Sequence, residues 1–211
     1  MNEPASHRIA RCTQWAALLA LVLSRPLFAQ PTPAADRFDH VFRKYAKRNF
    51  GPGYDWRLFK AQAMAESNLN PAAQSAVGAH GLMQLMPSTF QEIKTKNPEM
   101  ESVDDVEWNI AAGIAYDRTL WRLWERDTVE AGRHAFMLGS YNAGRVTIRK
   151  AQLMAQEDSL DHRAWPSIEL VAPKVVRWRY QETLDYVRRI QDNLNSLDDK
   201  GRSPSSRHKR S

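Results

Sequence analysis

Several features that would indicate disulfides, metal sites or nucleotide binding are scarce in this 211-residue sequence. It contains one cysteine, Cys12, which lies ahead of an N-terminal apolar run, so neither a disulfide nor lipid attachment is expected. The six histidines show no HExxH spacing, and no phosphate-binding glycine loop stands out. Strand-type alternation and internal repeats are also missing. We therefore predict no metal site and no cofactor.

Positive charge is concentrated at the two ends of the chain. The formal net charge is +6, of which residues 1–29 carry +2 and residues 198–211 carry +3. The stretch between them is close to neutral, which argues against a nucleic-acid partner. The hydrophobic fraction of 43% and the charged fraction of 26% are those of a globular protein with a sizeable core.

The N-terminus is typical of an export signal. Arg8 and Arg11 precede the apolar run at 15–23, and a cleavage point follows Ala29. The run is shorter than the ~20 residues that span a bilayer, so no stable membrane span is expected, and a buried N-terminal helix is the alternative. We expect residues 1–29 to be a signal peptide and 30–35 a spacer, with the mature chain in the periplasm or cell envelope.

Helical periodicity organises the remainder of the chain. It predicts helices at 37–50, 87–96, 109–125, 130–143 and 173–197, and a further helix that starts after Asp55 and ends before the segment 68–71. The polar segment 155–172 is interpreted as a loop or insertion. Residues 198–211 have the composition of a disordered tail. The prediction is one all-α domain over 36–197.

One carboxylate, Glu66, lies where an apolar side chain is expected. Trp56, Phe59, Ala63 and Glu66 recur at helical spacing, so the glutamate falls on the apolar stripe near the end of its helix. The helix dipole and the apolar neighbours would both raise its pKa, and a carboxylic acid protonated near neutral pH can protonate a glycosidic oxygen. On position alone, a partly exposed glutamate at a frayed helix end is the preferred interpretation.

Two later segments carry residues suited to binding sugars. Gly78 and Gly81 flank a tight turn, and Gln84 follows as a single amide in an apolar stretch. The segment "GSYNAG" at 139–144 supplies Tyr141 and a second amide, Asn142. Each feature by itself is more typical of core packing or of a helix end.

Together these segments resemble a known family. The motifs "ES" at 66–67, "GLMQLMP" at 81–87, "SYNAG" at 140–144 and "ETLDYV" at 182–187 occur in one order. The stretch 36–195 thereby resembles the lytic transglycosylases of bacterial cell walls, which have a goose-lysozyme-like, SLT-type catalytic domain. The resemblance implies a lysozyme-like helical fold with a glycan-binding groove, and peptidoglycan glycan strands as substrate. It leaves open a partner in envelope machinery.

The resemblance also implies roles for individual residues. Glu66 would be the catalytic acid and base, Tyr141 would orient it or stabilise developing charge, and Asn142 would bind the acetamido-bearing sugar. The residues implied to bind or orient the substrate are Ser67, Met83, Gln84, Tyr141, Asn142 and Tyr186. Within this set, Ser67 would steady the site and an N-acetyl group, Met83 and Gln84 would line the groove, and Tyr186 would project into it.

Most glycoside hydrolases use two carboxylates, and no second acid accompanies the four motifs. The nearest cluster, at 104–107, reads better as the lead-in to the following helix. The resemblance implies that Glu66 performs both steps and that the product is a 1,6-anhydro sugar. Three alternatives stay open: a hydrolytic muramidase on the same fold, a non-catalytic glycan-binding module, and a nucleic-acid-binding protein that uses the basic tail.

Overall fold

The structure is a computed structural model that describes residues 36–127, 129 and 132–201. Over these residues the chain forms eight α-helices and one short 3-10 turn, and it forms no strand, which confirms the all-α prediction. The helices are α1 (Asp39–Phe50), α2 (Arg57–Ser67), α3 (Pro87–Lys96), α4 (Val106–Arg126), α5 (Arg133–Ala143), α6 (Arg145–Glu157), α7 (Trp165–Val171) and α8 (Tyr180–Gly201). The predicted signal peptide, the spacer and residues 202–211 of the predicted tail lie outside the described residues.

Two helices carry most of the packing between elements. Helix α4 packs against α1, α3 and α5, while α8 packs against α2 and α5. The core that they share includes Phe42, Phe59 and Ile110, which are fully buried. Helix α8 enters this core through Tyr186 and Ile190, which share one face of the helix.

Several helix boundaries follow from local chemistry. Helix α3 spans the predicted 87–96, with Pro87 in its first turn, where the missing N–H costs nothing. Helix α4 begins at Val106, three residues earlier than predicted, because the Asp105 carboxylate accepts a hydrogen bond from the Trp108 N–H at 2.9 Å. Helix α2 ends at the predicted place, since Asn68 turns left-handed with φ 53°.

The prediction of a loop at 155–172 is wrong. Helix α6 continues to Glu157, and α7 occupies Trp165–Val171. Both helices contribute apolar residues to a second buried cluster around Trp124, which includes Ile148, Trp165 and Ile168. Tertiary burial of a few well-spaced apolar side chains therefore sets the structure of a segment whose composition is polar.

The C-terminal helix begins later and ends later than predicted. Residues Ala172–Lys174 form the 3-10 turn, and Arg177 adopts a left-handed φ of 61°, so the chain becomes α-helical only at Tyr180. The helix then continues to Gly201, beyond the predicted domain end at 197. No helix of the described residues combines the length and the apolar character needed to cross a bilayer.

Candidate active site

Glu66 lies in the last turn of α2 and is partly buried. Burial of the carboxyl is the main influence on its pKa, which rises from 4.5 to about 7. A hydrogen bond from Tyr186 and the positive charge of Arg189 act in the opposite direction. The group is therefore a carboxylic acid that can be protonated or ionised near neutral pH.

Tyr186 approaches this carboxyl from α8. Its hydroxyl donates a hydrogen bond to Glu66 Oε1 at 2.6 Å, and its side chain is only 2% exposed. Burial, with the nearby charge of Glu66, raises the pKa of Tyr186 well above its usual value, so the phenol stays a proton donor. A hydrogen bond to the charged form stabilises the carboxylate that remains after Glu66 has given up its proton.

Ser67 ties the end of α2 to the glycine turn. Its hydroxyl lies 2.9 Å from the Leu82 carbonyl and 3.3 Å from the Ala63 carbonyl, and can donate to either. Because the single hydroxyl proton serves a backbone carbonyl, Ser67 faces a ligand mainly as an acceptor. The residue thus fixes the distance between the acid and the segment that follows.

The glycine turn is held by an asparagine that sequence reasoning had assigned no role. The Asn109 amide accepts from the Met83 N–H at 2.9 Å and donates to the carbonyls of His80 and Val103, each at 2.9 Å. A Cβ at Gly81 would lie 2.5 Å from the Asn109 side-chain nitrogen, and the φ of Gly81 is 73°. Both the close approach and the left-handed backbone require glycine there.

Met83 and Gln84 lie at this turn, and both make contacts within the protein that hold the turn in place. The Met83 side chain has no exposed surface and packs on Gly113, while its carbonyl accepts from the Tyr141 hydroxyl at 2.8 Å. Gln84 has a left-handed φ of 44°, and its amide nitrogen donates to the carbonyls of Gly81 at 2.9 Å and of Ala73 at 3.2 Å. Its amide oxygen makes no hydrogen bond within the described residues and remains an acceptor.

Tyr141 and Asn142 stand at the end of α5. The Tyr141 ring packs on Tyr116 with centroids 5.3 Å apart, and the charge of Glu66 adds to the burial that raises the pKa of Tyr141. Asn142 is exposed, and its oxygen accepts from the Thr183 hydroxyl at 2.8 Å. Since no partner in the described part of the chain engages the Asn142 amide nitrogen, that group can donate to a ligand.

The acidic residues around the start of α4 are engaged in contacts away from Glu66. Asp104 lies 2.8 Å from the His80 ring, Asp105 caps α4, and Glu107 accepts from Lys44 and Tyr45. Asp104 and Asp105 form the lead-in to α4, in agreement with the sequence interpretation, whereas Glu107 lies in the first turn of the helix. Across the described residues, no three His, Cys, Asp or Glu side chains gather as a metal site would require.

The helical fold and this site define the class of protein. Residues 41–163 match the model of the transglycosylase SLT domain, and the chain belongs to that family. This confirms the resemblance that the four motifs indicated.

Curated relatives support the assignment. The chain is 33% identical over 150 residues to the membrane-bound lytic murein transglycosylase F of Desulfosudis oleivorans, an alignment that covers 71% of this chain and 31% of the relative. The protein of the same name from Shewanella pealeana is 31% identical over 150 residues, covering 71% of this chain and 29% of the relative. The chain thus spans about a third of the length of these relatives.

Solved structures show the same fold. The lytic transglycosylase Slt of Pseudomonas aeruginosa aligns with a TM-score of 0.63 at 23% identity, over 80% of this chain and 25% of that one. The 70 kDa soluble lytic transglycosylase of Escherichia coli aligns with a TM-score of 0.53 at 23% identity, over 74% of this chain and 23% of that one. The predicted lysozyme-like, SLT-type fold is confirmed.

Proposed function

We propose that this protein is a lytic transglycosylase that cleaves the β-1,4 bond between N-acetylmuramic acid and N-acetylglucosamine in peptidoglycan. The observation that carries the proposal is the Glu66 carboxyl, whose pKa of about 7 makes it an acid near neutral pH and which the Tyr186 hydroxyl holds at 2.6 Å. It lies within a domain of the SLT family.

In the first step Glu66 acts as the general acid. Its proton passes to the glycosidic oxygen as the bond to the anomeric carbon breaks, and the N-acetylglucosamine end leaves as an alcohol. The substrate's own acetamido group supports the positive charge at that carbon. The Tyr186 hydrogen bond is then made to a carboxylate, so it strengthens as the proton leaves.

In the second step the same carboxylate acts as the base. Glu66 takes the proton of the muramoyl C6 hydroxyl while that oxygen bonds to the anomeric carbon, which closes a 1,6-anhydro ring and restores the protonated acid. No water is consumed. A hydroxyl of the substrate itself has the advantage of proximity over a free water, provided that the groove holds it in line.

The remaining site residues bind and orient the glycan. The free acceptor of Gln84 and the free donor of Asn142 suit a sugar's hydroxyl and acetamido groups. Ser67, Tyr141 and Met83 contribute mainly by positioning: the first ties α2 to the glycine turn, and the other two join that turn to α5 through one hydrogen bond.

The carboxyl that interacts with Glu66, Asp117, is inaccessible to a substrate. Asp117 is electrostatically coupled to Glu66, but its side chain has no exposed surface and cannot reach a substrate or activate a water beside it. A hydrolytic mechanism would require a second carboxylate across the scissile bond. Asp117 cannot take that role, so the transglycosylase is proposed in preference to the muramidase.

The domain organisation and location form part of the proposal. Residues 1–29 serve as the export signal and 30–35 as the spacer. The catalytic domain, predicted over 36–197, extends to 201 with helix α8, and residues 202–211 serve as a basic tail. The mature chain acts on the wall in the periplasm or cell envelope. The relatives are named as membrane-bound murein transglycosylases, which supports a place in the envelope.

Mass spectrometry of muropeptides released from purified peptidoglycan tests the function. Residues 30–211 should release products one water lighter than reducing muropeptides, and Glu66→Gln should release none. Glu157→Gln is the matched control, because Glu157 also ends a helix but is exposed. Reducing products would instead indicate a muramidase, and sacculi bound without cleavage would indicate a binding module.

A further inference from the structure

A buried polar pair lies one helical turn below the candidate acid. Gln62 on α2 and Asp117 on α4 are both without exposed surface. The Gln62 amide nitrogen donates to Asp117 Oδ1 at 3.4 Å. No other side-chain hydrogen bond joins these two helices within the described residues. Since Gln62 and Glu66 are four residues apart, they share a face of α2.

The second oxygen of each side chain is left without a partner. Asp117 Oδ2 and Gln62 Oε1 are both buried, and neither finds a hydrogen-bond donor. A buried carboxylate with one long hydrogen bond and no cation is strongly unfavourable, and an orphaned amide oxygen adds to the cost. One proton placed on Asp117 Oδ2 would satisfy both atoms, because it would give the Gln62 oxygen a donor.

We propose that Asp117 is a neutral carboxylic acid that forms a cyclic, two-hydrogen-bond pair with the Gln62 carboxamide. In this pair the Gln62 N–H donates to Asp117 Oδ1, and the Asp117 O–H donates to Gln62 Oε1. The pair joins α2 to α4 beneath Glu66. Asp117 is thus a positioning residue, which acts on the reaction through the helix that carries the acid.

Neutrality of Asp117 also matters for the charge of the site. Burial, with the charge of Glu66, raises the pKa of Asp117 well above its usual value, in agreement with the pair. The titratable and charged groups around the pair on the neighbouring elements are Glu66 (α2), Tyr54 (before α2), Tyr116 and Arg118 (α4), Tyr141 (α5), and Tyr186 and Arg189 (α8). An ionised Asp117 would raise the pKa of Glu66 further and so weaken it as the acid of the first step.

The test uses two variants of the full chain. Asp117→Asn keeps both hydrogen bonds, because its amide can donate to Gln62 Oε1 and its oxygen can still accept. Asp117→Leu keeps the number and branching of the side-chain heavy atoms but removes both bonds and leaves the Gln62 amide unpaired. Because this inference rests on the proposed function only through Glu66, two substrate-free measurements accompany the assay: urea unfolding, and carboxyl carbon NMR of labelled aspartate with Asp117 assigned by its loss in Asp117→Asn.

We expect Asp117→Asn to unfold at the urea concentration of the wild type, to retain kcat/KM within about threefold, and to keep the pH at which kcat/KM declines. The Asp117 resonance should hold the protonated position from about pH 5 to about pH 8. Asp117→Leu should lose stability and activity together. Three results would overturn the proposal. One is an Asp117 resonance at the ionised position. The others are a loss of kcat/KM of more than about tenfold in folded Asp117→Asn, and a fall by about one unit in the pH at which its kcat/KM declines.

If the wild type cleaves no peptidoglycan, the proposed function fails, while the NMR and unfolding results still decide the protonation of Asp117. The two ideas can therefore fail separately.

Discussion

Replacing Glu66 by glutamine should stabilise the protein at alkaline pH, although it removes the candidate acid. Between pH 4.5 and about 7 the folded chain binds a proton at Glu66 that the unfolded chain has released. The stability of the wild type therefore falls as the pH rises through this window and levels off above it. A rise in the pKa of Glu66 from 4.5 to about 7 corresponds to roughly 3 kcal/mol of folding stability, which is lost by about pH 8. Glutamine is neutral throughout and can still accept from Tyr186.

Urea unfolding of both proteins near pH 5 and near pH 8 measures this difference. Glu66→Gln should gain on the wild type by about 2 to 3 kcal/mol between the two conditions. Titrating groups that do not interact with Glu66 cancel in the comparison. Glu157→Gln serves as the control and should show no such gain, because an exposed side chain is hydrated in the folded and unfolded states alike. An equal difference at the two pH values would refute the assignment of a buried acid at Glu66.

Three further substitutions test the support around the site. Tyr186→Phe removes the hydrogen bond that lowers the pKa of the Glu66 carboxyl, so the decline of kcat/KM should move to higher pH by on the order of one unit, as seen in a pH–rate profile. Gly139→Ala should cost about 1–3 kcal/mol in urea unfolding, because its Cβ would lie 2.5 Å from an indole ring, whereas Gly53→Ala, with open space around it, should change little. Asn109→Leu leaves three backbone groups without their bonds and should lower stability by about 2 kcal/mol or more, together with muropeptide release. An unaltered pH–rate profile of Tyr186→Phe would contradict the role of its hydrogen bond. Equal losses of stability in the two glycine variants, or a stable and active Asn109→Leu, would contradict the contacts of Gly139 and Asn109.

Much of the fold is predictable from local signals. Proline at the start of α3 and asparagine after α2 act within one turn of the chain, so their effects can be recognised without knowledge of the tertiary structure. The position of Glu66 on an apolar stripe likewise follows from helical spacing. The helices α6 and α7 were missed because their burial depends on a partner cluster around Trp124 that is distant in sequence.

The interactions that shape the site join distant parts of the chain. Tyr186 and Glu66 are 120 residues apart, and no local sequence pattern indicates that the tyrosine hydroxyl donates to the glutamate carboxyl. The hydrogen bonds of Asn109 join α4 to the glycine turn. In the sequence, the only indication of this role is that a polar residue stands at the start of an apolar helical run. Asp117 gives a similar signal, a lone carboxyl among apolar neighbours, but its pairing with Gln62 becomes visible only in three dimensions.

The central claim is that one carboxyl both donates and accepts the proton while the substrate's own hydroxyl replaces water. Digestion of peptidoglycan in water enriched with heavy oxygen tests this claim most directly. The account predicts anhydro products that carry no heavy oxygen, from the wild type and the Glu157→Gln control but not from Glu66→Gln. Newly formed reducing ends that carry heavy oxygen at the anomeric carbon, beyond what a reducing muropeptide gains by exchange in the same water, would contradict it, because a water molecule would then have attacked the sugar.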